Sequence, residues 1–290
     1  MAGVQNTQWL MTTPMRLAAV VLAGIALASR VQAQEGFDRL RDRGPGIPTS
    51  MFGTYIQRHE LLVYPYYEFY LDNNAEYSPN ELGFGLDRDF RGRYRAHEWL
   101  LFLGYGITER LGLELEAAVI TANLDKSAAD PSSQPARVEE SGLGDVETQL
   151  RWRWSEEAEG RPEIFSYFET VFPFQRNKRL IGTQDWEFQL GAGLVRGYRW
   201  GTTTLRLAVE YEAAEKSLAL GEFAVEYLKR ISPRLRVFGS VEGTGDEVEL
   251  ITEAQVFLRP NIFLKLNNAV GLTSKATDWA PEVGVMFSFR

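Results

Sequence analysis

Cysteine is absent from this sequence, so disulfide bonds and cysteine-ligated metals are excluded. Long apolar runs are also absent: none reaches the roughly 18–20 residues that a membrane-spanning helix needs. There are 31 basic residues against 39 acidic ones, a net charge of −8. This balance argues against a nucleic-acid partner, since phosphate backbones are bound by basic surfaces.

The N-terminal region divides into two segments. Its apolar run LAAVVLAGIALA follows Arg16 and precedes the small-x-small pattern at Val31 to Ala33. A short apolar stretch between a basic flank and such a site is typical of a secretory signal peptide, so residues 1–33 are interpreted as one. Residues 34–60 are rich in Gly, Pro and Arg without a clear period. They predict an irregular arm, which either plugs a lumen or leads into the first strand.

The stretch GLGDVETQLRWRW, residues 142–154, alternates polar and apolar side chains. Asp145, Glu147, Arg151 and Arg153 share one face, opposite a face that ends in two tryptophans. Period-two alternation indicates a strand with two unlike faces. In a soluble sandwich the apolar face would be the core, whereas in an outer-membrane barrel it would face lipid and the charges would line the lumen.

The rest of the chain from residue 61 continues in the same way, with no amphipathic helix between strands. It predicts an all-β fold for residues 61–290, a transmembrane antiparallel up-and-down β-barrel of about twelve strands, each long enough to cross a bilayer. The predicted strands are 61–72, 97–106, 111–121, 142–154, 163–174, 186–200, 203–213, 218–228, 235–243, 248–259, 262–273 and 280–290. Long polar connections alternate with tight turns early in the chain. Pro65 cannot donate a ladder hydrogen bond and predicts a bulge or a break.

The placement of aromatic residues favours the barrel over the sandwich. If the apolar face points outward, eight aromatic residues collect at one membrane boundary, where a lipid-facing girdle belongs. A sandwich core gives no reason for such a gathering. The predicted girdle consists of Tyr105, Trp152, Trp154, Tyr198, Trp200, Tyr227, Phe287 and Phe289.

Three segments carry a resemblance to a known family. GLGDVETQLRWRW, YGITERLGLELEA (105–117) and FETVFPF (168–174) resemble strands and a hairpin of outer-membrane proteins of the phenol meta-cleavage-pathway type. The resemblance implies a channel or transporter for hydrophobic or aromatic compounds in the outer membrane of a Gram-negative bacterium. Arg290 departs from the terminal aromatic residue that is usual in barrels. Because the alternation up to Phe289 is intact, we expect the barrel-assembly machinery to recognise the last strand.

With the polar faces inward, the lumen receives both charged and aromatic side chains. An acid-rich conduit and a ladder of Arg–Glu pairs filling a small barrel are both open interpretations. Likewise, the aromatic residues either form a path for an apolar solute or simply pack. The predicted charged lining comprises Asp145, Glu147, Arg151, Arg153, Glu169, Glu187, Arg206, Glu210, Glu222, Glu226, Arg236, Glu249, Glu253, Arg259 and Lys265, with Glu114, Glu116, Glu242 and Glu282. The predicted aromatic lining comprises Tyr64, Tyr66, Tyr70, Phe102, Phe165, Tyr167, Phe238 and Phe257.

Catalysis is not expected. His59 and His97 are the only histidines, and no serine lies in the strand of His97. No cofactor or metal is predicted, because the acidic loop 124–133 lacks the ligand spacing of a calcium loop. The favoured function is passive passage of small hydrophobic or aromatic solutes across the outer membrane, with lipid and solute as partners. The alternatives are a filled, structural barrel and a secreted soluble β protein. The oligomeric state is left open.

Overall fold

The computed structural model describes residues 38–183, 185–213 and 216–290, so the predicted signal peptide lies outside the described residues. Two short strands come first, β1 (Ile47–Pro48) and β2 (Tyr55–Ile56), paired as a small antiparallel sheet. Twelve longer strands follow: β3 (Leu61–Tyr77), β4 (Phe90–Gly106), β5 (Leu111–Asp125), β6 (Arg137–Ser155), β7 (Glu163–Phe172), β8 (Glu187–Tyr198), β9 (Gly201–Glu212), β10 (Ser217–Ser232), β11 (Leu235–Gly243), β12 (Val248–Arg259), β13 (Ile262–Gly271) and β14 (Ala280–Phe289).

The twelve strands β3 to β14 form a closed antiparallel barrel. Each strand pairs with its neighbour in sequence, and β14 returns to pair with β3, where Phe289 lies opposite Leu61. Closure leaves no sheet edge unpaired, which is the condition for a β structure in lipid. The predicted fold class and strand number are confirmed.

Four early strands extend further than predicted at the end of the barrel that carries the long loops. β3 continues to Tyr77, β4 begins at Phe90, β5 continues to Asp125 and β6 begins at Arg137. The added segments are held by ladder hydrogen bonds and by ion pairs such as Arg91–Glu76 (2.5 Å) and Arg95–Asp125 (3.1 Å). The connection between β3 and β4 is therefore only 78–89, and the connection between β5 and β6 is only 126–136. Three later strands stop about two residues short of their predicted ends.

Pro65 lies where the ladder between β14 and β3 is interrupted. Pairing passes from Gly284–Tyr66 to Phe287–Val63 without a change of register, and Pro65 stays in register with Leu101 of β4. The predicted break is therefore present, while the predicted bulge is not. A shallow apolar groove of about 810 Å³ lies over this seam.

The arm enters the barrel instead of continuing along its rim. Ile47 and Ile56 are fully buried and pack against Tyr64, Phe102 and Met286 on the inner wall. Gly53 turns the chain between β1 and β2 with a φ of +58°, a left-handed conformation that glycine adopts without strain. The arm therefore occupies the end of the barrel where the strands are joined by tight turns, near the start of β3 and the end of β14.

No helix in the described ranges is long and apolar enough to cross a membrane. Residues 158–161 form a separate tight turn, closed by hydrogen bonds between the backbones of Ala158 and Arg161.

Candidate functional site: the barrel interior

The outer face of the barrel is apolar. Large side chains at mid-strand are exposed, among them Leu190 (57%), Leu207 (51%) and Val119 (54%). On the same strands the alternate positions, such as Gly191 and Ala208, are buried inside. A soluble protein does not expose such a continuous apolar band to water, so this surface faces lipid.

The predicted aromatic girdle lies at the tight-turn end, on the outer face. Tyr198 stacks on Trp200 (4.7 Å between ring centroids), and Trp200 stacks on Tyr227 (5.7 Å). The pairs Trp152–Trp154 and Phe287–Phe289 and the exposed Tyr105 complete it. Amphipathic rings at one level mark a membrane–water boundary.

A second aromatic row lies toward the long-loop end and was not predicted. Tyr67 contacts Trp99 (4.9 Å), Phe69 contacts Trp279 (6.0 Å), and Phe172 contacts Trp186 (4.9 Å). From Leu61 to Phe69 β3 rises about 26 Å, or about 20 Å along an axis from which it is tilted by ~40°. The two rows thus bound an apolar band slightly shorter than the ~25 Å that is usual in outer-membrane barrels. The rings of the second row come together because their strands pair. The sequence alone does not show that pairing.

Ion pairs fill the tight-turn half of the lumen together with the arm. Arg151 pairs with Glu114 (3.0 Å), and Lys265 pairs with Glu253 (3.1 Å); all four side chains are almost fully buried. The arm supplies backbone acceptors to the same cations: the carbonyl oxygen of Pro48 accepts from Arg151 (3.0 Å). These contacts satisfy charges that would be costly to bury alone.

Further ion pairs anchor the beginning of the arm. Arg43 reaches Glu163 (3.0 Å) and Glu157 (3.4 Å) and lies over the ring of Tyr55 (5.1 Å). Burial raises the pKa of Tyr55 to about 12. The carboxylate of Asp42 accepts from the backbone N–H of Arg230 (3.0 Å). The arm is thus tied to the wall along its length.

One cation on the inner face of β9 neutralises several acids. Arg206 lies within 3.1 Å of three carboxylates, those of Glu222, Glu226 and Glu242. Among the predicted charged lining, Arg259 is an exception: it lies beyond a register shift at the end of β12 and is exposed at the turn. The other predicted charged positions lie on the inner face, because they alternate with the exposed apolar residues of their strands.

The predicted aromatic lining divides into two groups. Six of the eight residues pack around the arm: Tyr64 and Phe102 contact Ile56, Phe238 stacks on Phe52 (5.2 Å), Phe165 and Tyr167 surround Tyr55, and Phe257 lies against Arg236 (4.7 Å). Tyr66, which belongs to the same buried cluster as Ile56, and Tyr70 also line a cavity. Packing therefore accounts for most of this set.

We call that cavity the chamber. It has a volume of about 420 Å³, and its carboxylates are those of Glu68, Glu98, Glu116, Glu147, Asp145 and Glu187. Leu100, Ile120 and Val171 supply apolar lining. Glu98 was not a predicted lumen residue, because the run Trp99–Leu103 that follows it does not alternate; pairing with Glu68 and Ile120 gives its direction.

One loop lines the chamber, and the tip of the arm lines a smaller cavity next to it. There, Ser50 at the arm's tip donates from its N–H (3.0 Å) and its hydroxyl (2.6 Å) to Glu114. Above the chamber, the loop after β7 folds inward: Ile181 is buried against Ala96 and Ala122, and Tyr94 donates to the carbonyl oxygen of Leu180 (3.1 Å). This loop has no periodic pattern, so its inward course had no sequence signal.

Neither histidine lies in the chamber. His97 contacts the hydroxyl of Tyr67 on the outer face (2.7 Å), and His59 lies at the arm's end with a φ of +59°. Within the ranges that the structure describes, no group of three or more His, Asp or Glu side chains is arranged to hold a metal.

A closed barrel with an apolar outer band, aromatic boundaries and a charged interior is a transmembrane β-barrel of the outer-membrane type. An outer-membrane channel from Pseudomonas putida F1 shares this fold, with a TM-score of 0.57 and 13% identity, over 83% of this chain and 99% of its own. The translocator domain of the autotransporter NalP from Neisseria meningitidis aligns over 95% of this chain and 96% of its own, with a TM-score of 0.50 and 9% identity. The sequence matches no protein-family model and no curated protein. The fold implied by the sequence resemblance is thereby confirmed.

Proposed function

We propose that this protein is an outer-membrane channel for passive passage of small hydrophobic or aromatic solutes. The observation that carries the proposal is the chamber, a cavity of about 420 Å³ inside a barrel whose outer face meets lipid. Pockets for small molecules typically have volumes of about 300–1,000 Å³. The structural neighbour from Pseudomonas putida F1, itself an outer-membrane channel, is consistent with this role.

The proposal includes insertion by the barrel-assembly machinery through β14. Its outward alternation of Val283, Val285, Phe287 and Phe289 is retained up to the penultimate residue, and Arg290 pairs with Glu60 (3.2 Å). The last strand therefore keeps the apolar outward face that is usual in barrel strands before it pairs with β3.

A further part of the proposal is that the arm acts as a plug. It is held in the tight-turn half of the lumen by Arg43, Arg151 and Arg236, the last of which donates to the carbonyl oxygen of Arg43 (3.2 Å). A solute leaving the chamber toward the periplasm must pass this segment. The same contacts also favour the second candidate, a filled barrel without transport.

Conductance of the refolded protein in planar bilayers separates these candidates. The chain from residue 34 is compared with the same chain lacking residues 38–58, after both show barrel folding by circular dichroism. Conductance that rises strongly on deletion identifies the arm as a plug in a channel. Steady conductance in both shows a channel that the arm does not close, whereas silence in both favours the filled barrel.

A further inference from the structure

The chamber differs in charge balance from the rest of the lumen. Elsewhere in the lumen, Glu114 and Glu253 each have a basic partner near 3 Å, and Arg206 serves three more acids. In the chamber, Glu68, Glu98, Glu116 and Glu147 form no ion pair with any described residue. Arg179, from the loop above, is the basic residue in its lining, and it is exposed.

The chamber also offers contacts suited to a cation with an apolar body. The rings of Tyr66 and Tyr70 lie beside the carboxylates, and aromatic faces attract cations that have shed water. Leu100, Ile120 and Val171 supply apolar surface next to the acids. Carboxylates close together in a partly dehydrated site repel one another, so an entering positive charge is favoured.

An unfilled hydrogen-bond acceptor gives an independent indication. Gln149 is 6% exposed and donates from its amide nitrogen to Glu169, whereas its amide oxygen accepts no hydrogen bond from the described residues. Gln149 lines a smaller cavity of about 150 Å³ that shares Glu116 and Glu147 with the chamber. An N–H group of a ligand in the adjoining cavities would fill this acceptor.

We propose that the solutes of this channel are organic ammonium ions with an aromatic or apolar body, held in the chamber by its carboxylates and tyrosines. This inference rests on the proposed channel function and narrows its substrate class. Neutral aromatic compounds gain only the apolar contacts, and aromatic carboxylates are repelled.

A single salt tests the charge preference, because both ions of benzylammonium benzoate carry the same ring. A gradient of this salt across a planar bilayer containing the intact protein should give a reversal potential of the sign set by the cation. We expect benzylammonium to be about tenfold more permeant than benzoate, as in pores lined by acidic rings. A ratio near one, or a preference for benzoate, would overturn the inference while leaving the channel in place.

The variant Glu116→Gln/Glu147→Gln keeps the shape of the chamber and removes two charges. We expect the permeability ratio to fall severalfold, by roughly threefold or more, because two attractive charges are lost. Glu81→Gln, in the exposed loop 78–89, is the matched control and should keep the ratio of the unchanged protein. An unchanged ratio in the double variant would contradict the role of these carboxylates.

Calorimetry distinguishes failure of the inference from failure of the channel. If neither potassium chloride nor the aromatic salt gives conductance, either in the intact protein or in the protein lacking residues 38–58, the proposed channel is wrong. Titration of the intact protein in detergent with benzylammonium, benzyl alcohol and benzoate then decides the inference alone. Binding of the cation that weakens in the double variant supports it, and absence of preferential cation binding overturns it.

Discussion

Single outward side chains on this barrel meet lipid, and their depth determines what a charge there costs. Leu207 is 51% exposed in the middle of β9, whereas Leu218 is 72% exposed at the long-loop end of β10. Leu207→Arg should lower the free energy of unfolding by about 2–4 kcal/mol, and Leu218→Arg by about 0–1 kcal/mol, because the cost falls toward the interface. Urea unfolding in lipid vesicles measures both. Equal effects would show that Leu207 does not face the bilayer core.

Arg206 is the most heavily engaged cation of the lumen, with carboxylates of Glu222 (3.0 Å), Glu226 (2.6 Å) and Glu242 (3.1 Å) around it. Arg206→Met leaves three partly buried acids without this counter-charge. We expect a loss of about 3–5 kcal/mol in the free energy of unfolding. Adding Glu226→Gln should recover part of that loss.

The control for Arg206 is Arg95, whose partner Asp125 lies at 3.1 Å in a partly exposed site near the loops. Arg95→Met should cost at most about 1 kcal/mol, since solvent screens such pairs. Equal losses in the free energy of unfolding for Arg206→Met and Arg95→Met would show that the acids around Arg206 are not shielded from solvent.

At the scale of elements, two loops at the long-loop end are joined by an ion pair. Lys275, in 272–279, contacts Asp246, in 244–247, at 2.7 Å. The hydrogen bond from Lys275 and its charge hold the pKa of Asp246 below its usual range. Because the pKa is lower in the folded protein, the contact contributes at pH values above the ordinary aspartate range. It is lost as the pH falls through the lowered pKa.

Lys275→Met should return the pKa of Asp246 to its ordinary range. Carbon-13 NMR titration of the labelled carboxylate in micelles measures the shift. Arg176→Met removes a cation from another loop at the same end and should leave the titration of Asp246 unchanged. A titration of Asp246 that is the same with and without Lys275 would contradict the pairing.

The ends of β3 and β4 show why strand boundaries are harder to predict outside the membrane than within it. Within the membrane, alternation marks a strand because its two faces meet lipid and lumen. Beyond the membrane the outer face meets water, so LDNNAEY has no apolar outer face. In FRGRYRA the alternation is reversed, with three arginines outward and Phe90 and Ala96 buried inside. Interstrand hydrogen bonds nevertheless continue to Tyr77 and Phe90, which lie opposite each other. The predicted strands ended where the apolar outer face ended, several residues before the pairing does.

For the molecule as a whole, closure makes the fold resistant to cold detergent, because every strand has two neighbours. We expect the refolded protein to migrate faster on a gel when unboiled than after boiling. Comparison of the two lanes, together with solubility after detergent removal, checks this. Identical migration with full solubility in plain buffer would instead favour the secreted soluble β protein.

The sequence alone determined the number of strands, the face that each presents to lipid and the girdle at the tight-turn end. These follow from period-two alternation, a local property that each strand carries independently of its partners. The inward direction of Tyr66, Glu116 and Glu147 follows in the same way.

Only the tertiary structure decided what the interior does with its side chains. The arm's course into the lumen depends on Arg151, Arg153 and Arg236, which are distant from it in sequence and meet it only once the barrel closes. Closure also decides that Glu114 has a cation beside it and that Glu116, two residues along the same face, forms no ion pair with the residues that the structure describes. Which charges are neutralised depends on register and on contacts across the lumen, and no pattern within one strand contains that information.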